Sequence, residues 1–145
     1  MTLTQLIYAS RPFGFDDLAL TGILSSARRN NIRDQITGAL ICREDLFLQL
    51  LEGPAEAVNE AFARIKRDDR HTDVVRLVST DITDRLFPAW AMRHDPATSW
   101  MWTADQVTAG AVAAASEAEV IGVFRRLAGE PPSAPQTCPF SGSAA

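Results

Sequence analysis

Residues 36–54 read ITGALICREDLFLQLLEGP and hold two short apolar runs, 36–42 and 46–52, with three charged residues between them. Two apolar runs joined by so short a polar connection predict a β-hairpin. The second run is apolar on both of its faces, which is typical of a strand buried on both sides. Gly53 and Pro54 then begin a helix, since proline is tolerated in a first helical turn.

The segments around this hairpin add three strands and two helices. Strands are predicted over 3–10, 74–82 and 86–92. Each helix has apolar residues at the spacing of an amphipathic helix; they are Leu20, Ile23, Leu24 and Ala27 in the first, and Val58, Ala61, Phe62 and Ile65 in the second. The first helix should end near 30–31, because asparagine favours a helix exit. The order β-α-β-β-α-β-β predicts an α+β, ferredoxin-like fold, a five-stranded mixed sheet with both helices on one face.

After Pro96 the composition changes. Two alanine-rich segments, 103–115 and 117–128, predict two further helices on the other face of the sheet. The apolar residues that would dock there are Val107, Val112, Val120, Ile121 and Phe124. From residue 130 onward proline, serine, glycine and alanine predict a flexible tail. We therefore divide the chain into a domain at 1–102, a helical cap at 103–129 and a tail at 130–145.

The bulk composition excludes several classes of function. A net charge of −4 argues against direct nucleic-acid binding, which needs a concentrated basic face. The adjacent Arg28 and Arg29 are read as a solvated helix end, where cations suit the dipole. No apolar run approaches the roughly 20 residues that span a bilayer, and the start lacks a signal-peptide pattern. Cys42 and Cys138 form neither a disulfide framework nor a zinc pattern, so we expect a cytoplasmic protein without a structural metal.

Several residues fit poorly into a plain core. Gln49 interrupts an otherwise apolar strand, and an unpaired buried amide costs about 1–3 kcal/mol. Tyr8 is the only tyrosine, the asparagine pair 30–31 closes the first helix, and Trp90 and Met92 share a face of the last predicted strand. Each of these except Gln49 has an ordinary explanation as packing or capping. Gln49 is the residue that most needs a functional reason.

Taken together these residues resemble one known family. Six segments occur in the order and at the spacing of the BLUF flavin photoreceptors: LIYAS (6–10), SARRNN (26–31), ITGAL (36–40), FLQLLEGP (47–54), IKRDDRH (65–71) and RLFPAWAM (85–92). The resemblance covers about the first two-thirds of the chain and agrees with the order of elements. It makes 1–102 the flavin-binding domain.

The resemblance implies a flavin, normally FAD, between the two helices, with FMN and riboflavin as alternatives. Ile23 and Ile65 would enclose the ring, as befits two flat apolar faces. Asn31 would bind the carbonyl and imide edge. Further contacts would come from Tyr8, Gln49, Asn30, Arg70 and His71.

The resemblance also implies a switch and not an enzyme. Tyr8 would donate an electron and a proton, and Gln49 would relay the proton and end rearranged. Trp90 and Met92 would sense the new amide arrangement and pass it to the C-terminal helices. The receiver would be a downstream signalling protein, or a second copy of the chain in a homodimer.

Three other interpretations stay open on the residues alone. A light-insensitive, ferredoxin-like regulatory or ligand-binding module would use Gln49 as a structural amide and would be colourless when purified. A small hydrolase would use His71 or His94 as a base, but no nucleophile elbow or paired carboxylates accompany them. A metal or haem could bind at Cys138 before Pro139, which a lone Cys-Pro supports only weakly.

Overall fold

The computed structural model of the chain describes residues 3–12, 17–43, 46–67, 71–88, 90, 92–96 and 102–129. The strands within these ranges are β1 (Leu3–Pro12), β2 (Thr37–Arg43), β3 (Leu46–Pro54), β4 (His71–Ile82) and β5 (Arg93–Pro96). The helices are α1 (Asp17–Asp34), α2 (Ala55–Lys66), α3 (Ala104–Thr108), α4 (Ala111–Ala114) and α5 (Glu117–Ala128). The predicted tail, Arg70 and Cys138 lie outside the described residues.

The strands lie side by side in the order β4-β1-β3-β2-β5. The first four pair antiparallel, and the short β5 runs parallel to β2. The predicted hairpin joins β2 to β3, and the predicted α+β class is confirmed. Because β1 and β3 occupy the centre, their side chains are the ones most enclosed by covering layers.

Alternate residues of the central strands enter two separate hydrophobic clusters, as the period of two in a β-strand requires. The α1–α2 cluster joins the two long helices to one face; its buried members are Leu6, Tyr8, Leu24, Ile36, Leu40, Phe47, Leu51, Val58, Ala61, Phe62 and Met92. The α5 cluster occupies the opposite face; its buried members are Ile7, Ala9, Ala39, Ile41, Leu46, Leu48, Leu50, Val78, Phe87, Val112, Val120, Phe124 and Leu127. The two-sided burial predicted for β3 is therefore observed along Leu46 to Gly53.

Close approach of β2 and β3 depends on Gly38. A Cβ at this position would lie 1.9 Å from the main-chain oxygen of Leu50, which no side chain can tolerate without backbone movement. The same glycine donates its main-chain N–H to the carbonyl oxygen of Trp90 at 3.0 Å. Gly38 thus fixes both the hairpin and the segment that precedes β5.

The first helix extends beyond its predicted end. Asn30 and Asn31 lie inside α1, which continues to Asp34. The helix ends at Gln35, whose φ of 61° is left-handed, and Ile36 N–H donates to the carbonyl oxygen of Asn31 at 2.9 Å. A left-handed residue followed by this bond is the Schellman type of helix ending, so the asparagines occupy the last turns and not the exit.

The strand predicted over 86–92 is wrong. Residues 86–88 bend and turn, Trp90 and Met92 have no strand assignment, and the described pairing with β2 starts at Arg93, in β5. Pro88 explains the difference, because proline has no N–H to donate to a strand ladder. Trp90 and Met92 consequently do not share a strand face: Met92 is buried in the α1–α2 cluster, and Trp90 packs half-buried against the α5 cluster.

The helix predicted over 103–115 is divided into α3 and α4. Gly110, with a φ of 85°, lies between them. Thr103 caps α3 and Ser116 caps α5, each in a reciprocal capping box with the glutamine or glutamate three residues later. Among the residues that the structure describes, none belongs to a helix with the length and apolarity to cross a membrane.

Candidate functional site

Tyr8 and Gln49 meet in the middle of the sheet. They are directly opposed in the antiparallel register of β1 and β3, and both are buried, at 3% and 4% exposure. The Tyr8 hydroxyl donates a hydrogen bond to Gln49 Oε1. The pairing of β1 with β4 is also irregular here, since Ile7 opposes Val78 while Tyr8 opposes Arg76. Such irregularities change the direction in which side chains project, so Tyr8 lies at a specialised position of β1.

The other end of the Gln49 amide binds a sulfur atom. Gln49 Nε2 donates to Met92 Sδ at 3.3 Å, and Met92 is 1% exposed. Oxygen and nitrogen of one amide therefore have different partners, a phenol and a thioether. A thioether is only a weak acceptor, so this second bond is the weaker of the two.

Arg28 is the site residue that the sequence analysis missed. Its place beside Arg29 predicts a solvated helix end, but only 1% of Arg28 is exposed. Its Nε donates to the main-chain oxygen of Met92 at 2.9 Å, which ties α1 to the chain just before β5. Its place four residues after the buried Leu24 was a usable signal, because residues four apart lie on the same helix face.

The two long helices supply the remaining groups that were predicted. Asn31 is buried on α1 at 3% exposure, and Asn30 beside it is half-buried. Ile65 of α2 is half-buried against the α1–α2 cluster. Ile23 lies on α1, one residue before the buried Leu24, and its side chain is outside the described part.

An aromatic contact links Tyr8 to α2. The rings of Tyr8 and Phe62 have centroids 5.6 Å apart and planes inclined at 44°. Tilted aromatic pairs at this separation are favourable. Phe62 thus holds the phenol from the helix side while Gln49 holds it from the strand side.

The side chains of two predicted flavin contacts, His71 and Arg70, lie outside the part that the structure describes. His71 is the first residue of β4 and pairs through its main chain with Pro12, but its side chain is outside the described part. Arg70 lies outside the described residues altogether. His94 of β5 is opposite Leu40 in the parallel register, and its side chain is likewise not described.

An ionic contact joins the last turns of the two helices. Asp34 of α1 pairs with its neighbour Arg33 at 2.8 Å and with Arg64 of α2 at 3.3 Å. The hydrogen bond from Arg33, with the positive charges of both arginines, holds the pKa of Asp34 below its ordinary value, although partial burial opposes this. The pair with Arg64 connects the helix ends that border the site.

The chemistry of these groups fits a flat heteroaromatic ligand such as a flavin ring. Aliphatic residues of α1 and α2, Leu24 and Ile65, offer apolar contact, while the amides of Asn31 and Gln49 offer donors and acceptors for a polar edge. Within the described ranges no group of three or more metal-ligating side chains comes together. The aliphatic and amide groups named above are of the kinds that line a site for an organic cofactor.

Comparison with known proteins supports the same interpretation. A family model described as "Sensors of blue-light using FAD" matches residues 3–93. The photoactivated adenylate cyclase subunit beta of Euglena gracilis is 39% identical over 92 residues, which are 63% of this chain and 10% of that protein. The chain spans about a tenth of the length of the curated relatives that it matches.

Solved structures extend the likeness beyond residue 93. The dark-state structure of BlrB, described as a BLUF protein, is 31% identical, has a TM-score of 0.74, and covers 88% of this chain and 96% of its own. The structure described as "BlsA ground state" covers 99% of both chains with a TM-score of 0.79. Because its identity is 23%, it is used for the fold alone.

Proposed function

The chain belongs to the BLUF family of blue-light sensors that use a flavin, and from this membership we propose that it binds FAD between α1 and α2 and responds to blue light through Tyr8, Gln49 and Met92. The observation that carries the proposal is the buried hydrogen-bonded series from the Tyr8 hydroxyl through the Gln49 amide to the Met92 sulfur. Core packing alone would not require three such groups in one series, since an apolar residue at position 49 would need no partners.

Binding of the flavin is assigned to residues on both long helices. Asn31 would bind the polar edge of the ring, with Asn30, Arg70 and His71 as further contacts, and Ile23 and Ile65 would lie against its faces. The position of Asn31 supports this role, because it is buried on α1 seven residues after the buried Leu24 and so lies on the same helix face, toward the α1–α2 cluster. FMN and riboflavin carry the same ring, so the assignment of FAD rests on the family.

When bound, the flavin supplies the absorption of blue light and, once excited, the acceptor for an electron and a proton. Tyr8 would give up an electron and its hydroxyl proton, the proton would pass by way of Gln49 Oε1, and both would return to Tyr8 before the amide arrangement relaxes. The lasting change is the arrangement of the Gln49 amide, by rotation or by tautomerisation. With the flavin bound, the rearranged Gln49 amide would offer a stronger hydrogen bond to the polar edge of the ring, and the absorption would move to longer wavelength.

The rearranged amide alters the environment of Met92. If the amide turns over, Gln49 Oε1 faces the Met92 sulfur, and a thioether has no hydrogen to donate. The bond of 3.3 Å between Gln49 Nε2 and Met92 Sδ is then lost. The main-chain oxygen of Met92 keeps its bond from Arg28 Nε, so the change at the sulfur is expected to act on the neighbouring segment around residue 90.

The output is proposed to run through the C-terminal helices. Residues 103–129 would form a cap on the sheet face opposite α1 and α2, which is supported by the buried contacts of Val120, Phe124 and Leu127 in the α5 cluster. Signalling would be by contact with a downstream protein, or with a second copy of the chain, and not by catalysis. The Euglena relatives are named as adenylate cyclase subunits, and this chain matches only a tenth of them.

The proposal is tested first by the colour of the purified protein. The full chain should be yellow, and the flavin released on denaturation should be FAD by chromatography against FMN and riboflavin standards. Asn31→Leu should retain the fold and lose most of the flavin, whereas Asn59→Leu, on an exposed position of α2, should retain both. A wild-type protein that stays colourless after incubation with all three flavins would contradict the proposal and favour the light-insensitive module.

A further inference from the structure

Glu52 is a buried charged residue with no part in the proposed flavin site. It lies on β3, three positions after Gln49, and its exposure is 0%. Its register partner Gln5 belongs to the same face as Ile7, which is the face of the α5 cluster. An ionised carboxylate without water is costly unless donors surround it, so a residue of this kind needs an explanation.

The donors around Glu52 come from two places. Gln5 Nε2 of β1 donates to Oε2 at 3.0 Å. The main-chain N–H groups of Leu86 and Phe87 donate to the carboxylate at 2.8 Å and 2.9 Å. The carboxylate thus binds the main chain of a segment more than thirty residues away, at the start of the irregular stretch that leads to Met92.

Arg85 holds the same segment in place through three further side-chain hydrogen bonds. Its Nη1 donates to Thr37 Oγ1 at 2.9 Å and to the main-chain oxygen of Glu52 at 3.1 Å. Its Nη2 donates to the main-chain oxygen of Gln35 at 2.8 Å. Residues 85–87 are therefore bound to the ends of β2 and β3 by both side-chain and main-chain groups.

The segment that begins at residues 85–87 has contacts on both faces of the sheet. Phe87 packs edge-on against Phe124 of α5, with ring centroids 6.3 Å apart and planes at 88°. The carbonyl oxygen of Phe87 accepts a hydrogen bond from Trp90 N–H at 3.4 Å. Trp90 packs against the α5 cluster, and two residues later Met92 lies against Gln49.

We propose that Glu52 is a positioning residue for the output of the switch, an inference that rests on the proposed function. By fixing the main chain at Leu86 and Phe87, Glu52 gives the segment one immobile end. Movement of Met92 must then be accommodated between residues 88 and 92, where Trp90 packs against the α5 cluster. Without the carboxylate, the main chain at Leu86 and Phe87 is no longer held and absorbs the displacement. The Phe87–Phe124 contact is then weaker both in darkness and in light.

A purely structural role explains Glu52 less well. Leu48 and Leu50 occupy the same face of β3 and pack there without any charge. Packing on this face therefore does not require a carboxylate, and burial alone does not explain one at position 52. The feature that an apolar residue could not reproduce is the capture of two main-chain N–H groups from a distant segment.

Two substitutions of Glu52 separate positioning from packing. Glu52→Leu removes every acceptor, whereas Glu52→Gln keeps one oxygen for Leu86 and Phe87 and lets the Gln5 amide turn to accept from the new NH₂ group. In the full flavin-loaded chain we would measure the light-induced absorption shift and the hydrogen exchange of α5 amides in darkness and under blue light. We expect the leucine variant to keep the full absorption shift. Its light–dark difference in α5 hydrogen exchange should be several-fold smaller than that of the wild type. The glutamine variant should recover most of that difference.

A second pair of variants keeps the test decisive if the leucine variant does not fold. Arg85→Ala loosens the same segment from its half-buried side and should reduce the light–dark difference in the same direction. Asp84→Ala, at the exposed neighbouring position, should leave it unchanged. Equal responses of the two would contradict the inference.

Other outcomes distinguish this inference from the proposed function. A wild-type chain that shows no absorption shift contradicts the proposed function and this inference with it. A wild-type chain that shifts, together with a leucine variant whose α5 exchange responds fully, overturns the positioning role alone. Loss of the absorption shift in the leucine variant, or a glutamine variant as defective as the leucine one, would also overturn it.

Discussion

Trp90 and Met92 are two residues apart in the chain and pack into different clusters on opposite faces of the sheet. Met92 accepts a hydrogen bond from Gln49 Nε2 through its sulfur, and Trp90 accepts one from Gly38 N–H through its main-chain oxygen. A segment with one residue on each face is suited to carrying a change across the sheet. It joins the proposed flavin site to the contacts of α5 without passing through the strands themselves.

The sulfur of Met92 can be removed with little change of volume. Met92→Leu should cost less than about 1.5 kcal/mol and keep the flavin, because swaps that conserve volume are tolerated in cores. It removes the acceptor of Gln49 Nε2, so we expect a weaker light-dependent change in the hydrogen exchange of α5. Met92→Ala should weaken it as well and also destabilise the fold by about 2–5 kcal/mol. A wild-type response in both variants would remove Met92 from the output route.

The adjacent arginines of α1 provide a matched pair for stability. Arg28→Met leaves the buried Met92 carbonyl without the N–H that Arg28 Nε supplies, so we expect a loss of about 1–3 kcal/mol. Arg29→Ala, at an exposed position, should change the free energy of unfolding by less than about 0.5 kcal/mol. Urea unfolding followed by circular dichroism measures both. Similar losses in the two variants would contradict the role given to Arg28.

The hairpin glycine can be compared with a helix glycine. Gly38→Ala places a Cβ 1.9 Å from the Leu50 carbonyl oxygen, so β2 must separate from β3. We expect this variant to lose about 3 kcal/mol or more, or to fail to fold. Gly122→Ala in α5 meets nothing within 4 Å and should stabilise the protein by about 0.5–1 kcal/mol. If thermal unfolding showed Gly38→Ala to be neutral, the strand register around Gly38 would be wrong.

The carboxylate of Asp34, between the ends of α1 and α2, predicts that the free energy of unfolding depends on pH. The pKa of Asp34 lies below its ordinary value of 3.8 because Arg33 hydrogen-bonds the carboxylate and both neighbouring arginines favour its charge. A lowered pKa stabilises the folded state fully above the ordinary value, and this contribution disappears as the pH falls through the folded-state pKa. Asp34→Asn should therefore lose less stability than the wild type on acidification below pH of about 4. The effect should be small because Arg33 is exposed and Arg64 is only partly buried, and Asp84→Asn, at an exposed position, should behave as the wild type.

Much of the fold could be predicted because local and global signals agree. The apolar run of β3 indicated burial on both faces, and the two helical stripes identified Leu24, Val58, Ala61 and Phe62, which are all buried. Tyr8 and Gln49, both singled out from the sequence, are hydrogen-bonded to each other in the structure. These features follow from short-range periodicity or from a family pattern that covers 3–93.

The errors share a physical cause, which is dependence on distant parts of the chain. Arg28 is buried because the Met92 carbonyl, 64 positions away, accepts from it. Glu52 is buried because Leu86 and Phe87 return to β3, which no local pattern indicates. A strand over 86–92 is predicted from the sequence, although Pro88 within it is a local reason against a regular strand.

The most direct test of the central claim is the absorption spectrum of the flavin-loaded chain in darkness and after blue light. The wild type should show a reversible shift of the flavin bands to longer wavelength, and Gln106→Leu, at an exposed cap position of α3, should show the same shift. Tyr8→Phe and Gln49→Leu should each bind flavin and show no shift. A full, reversible shift in Gln49→Leu would contradict the account, because the response would then not depend on the amide that joins Tyr8 to Met92.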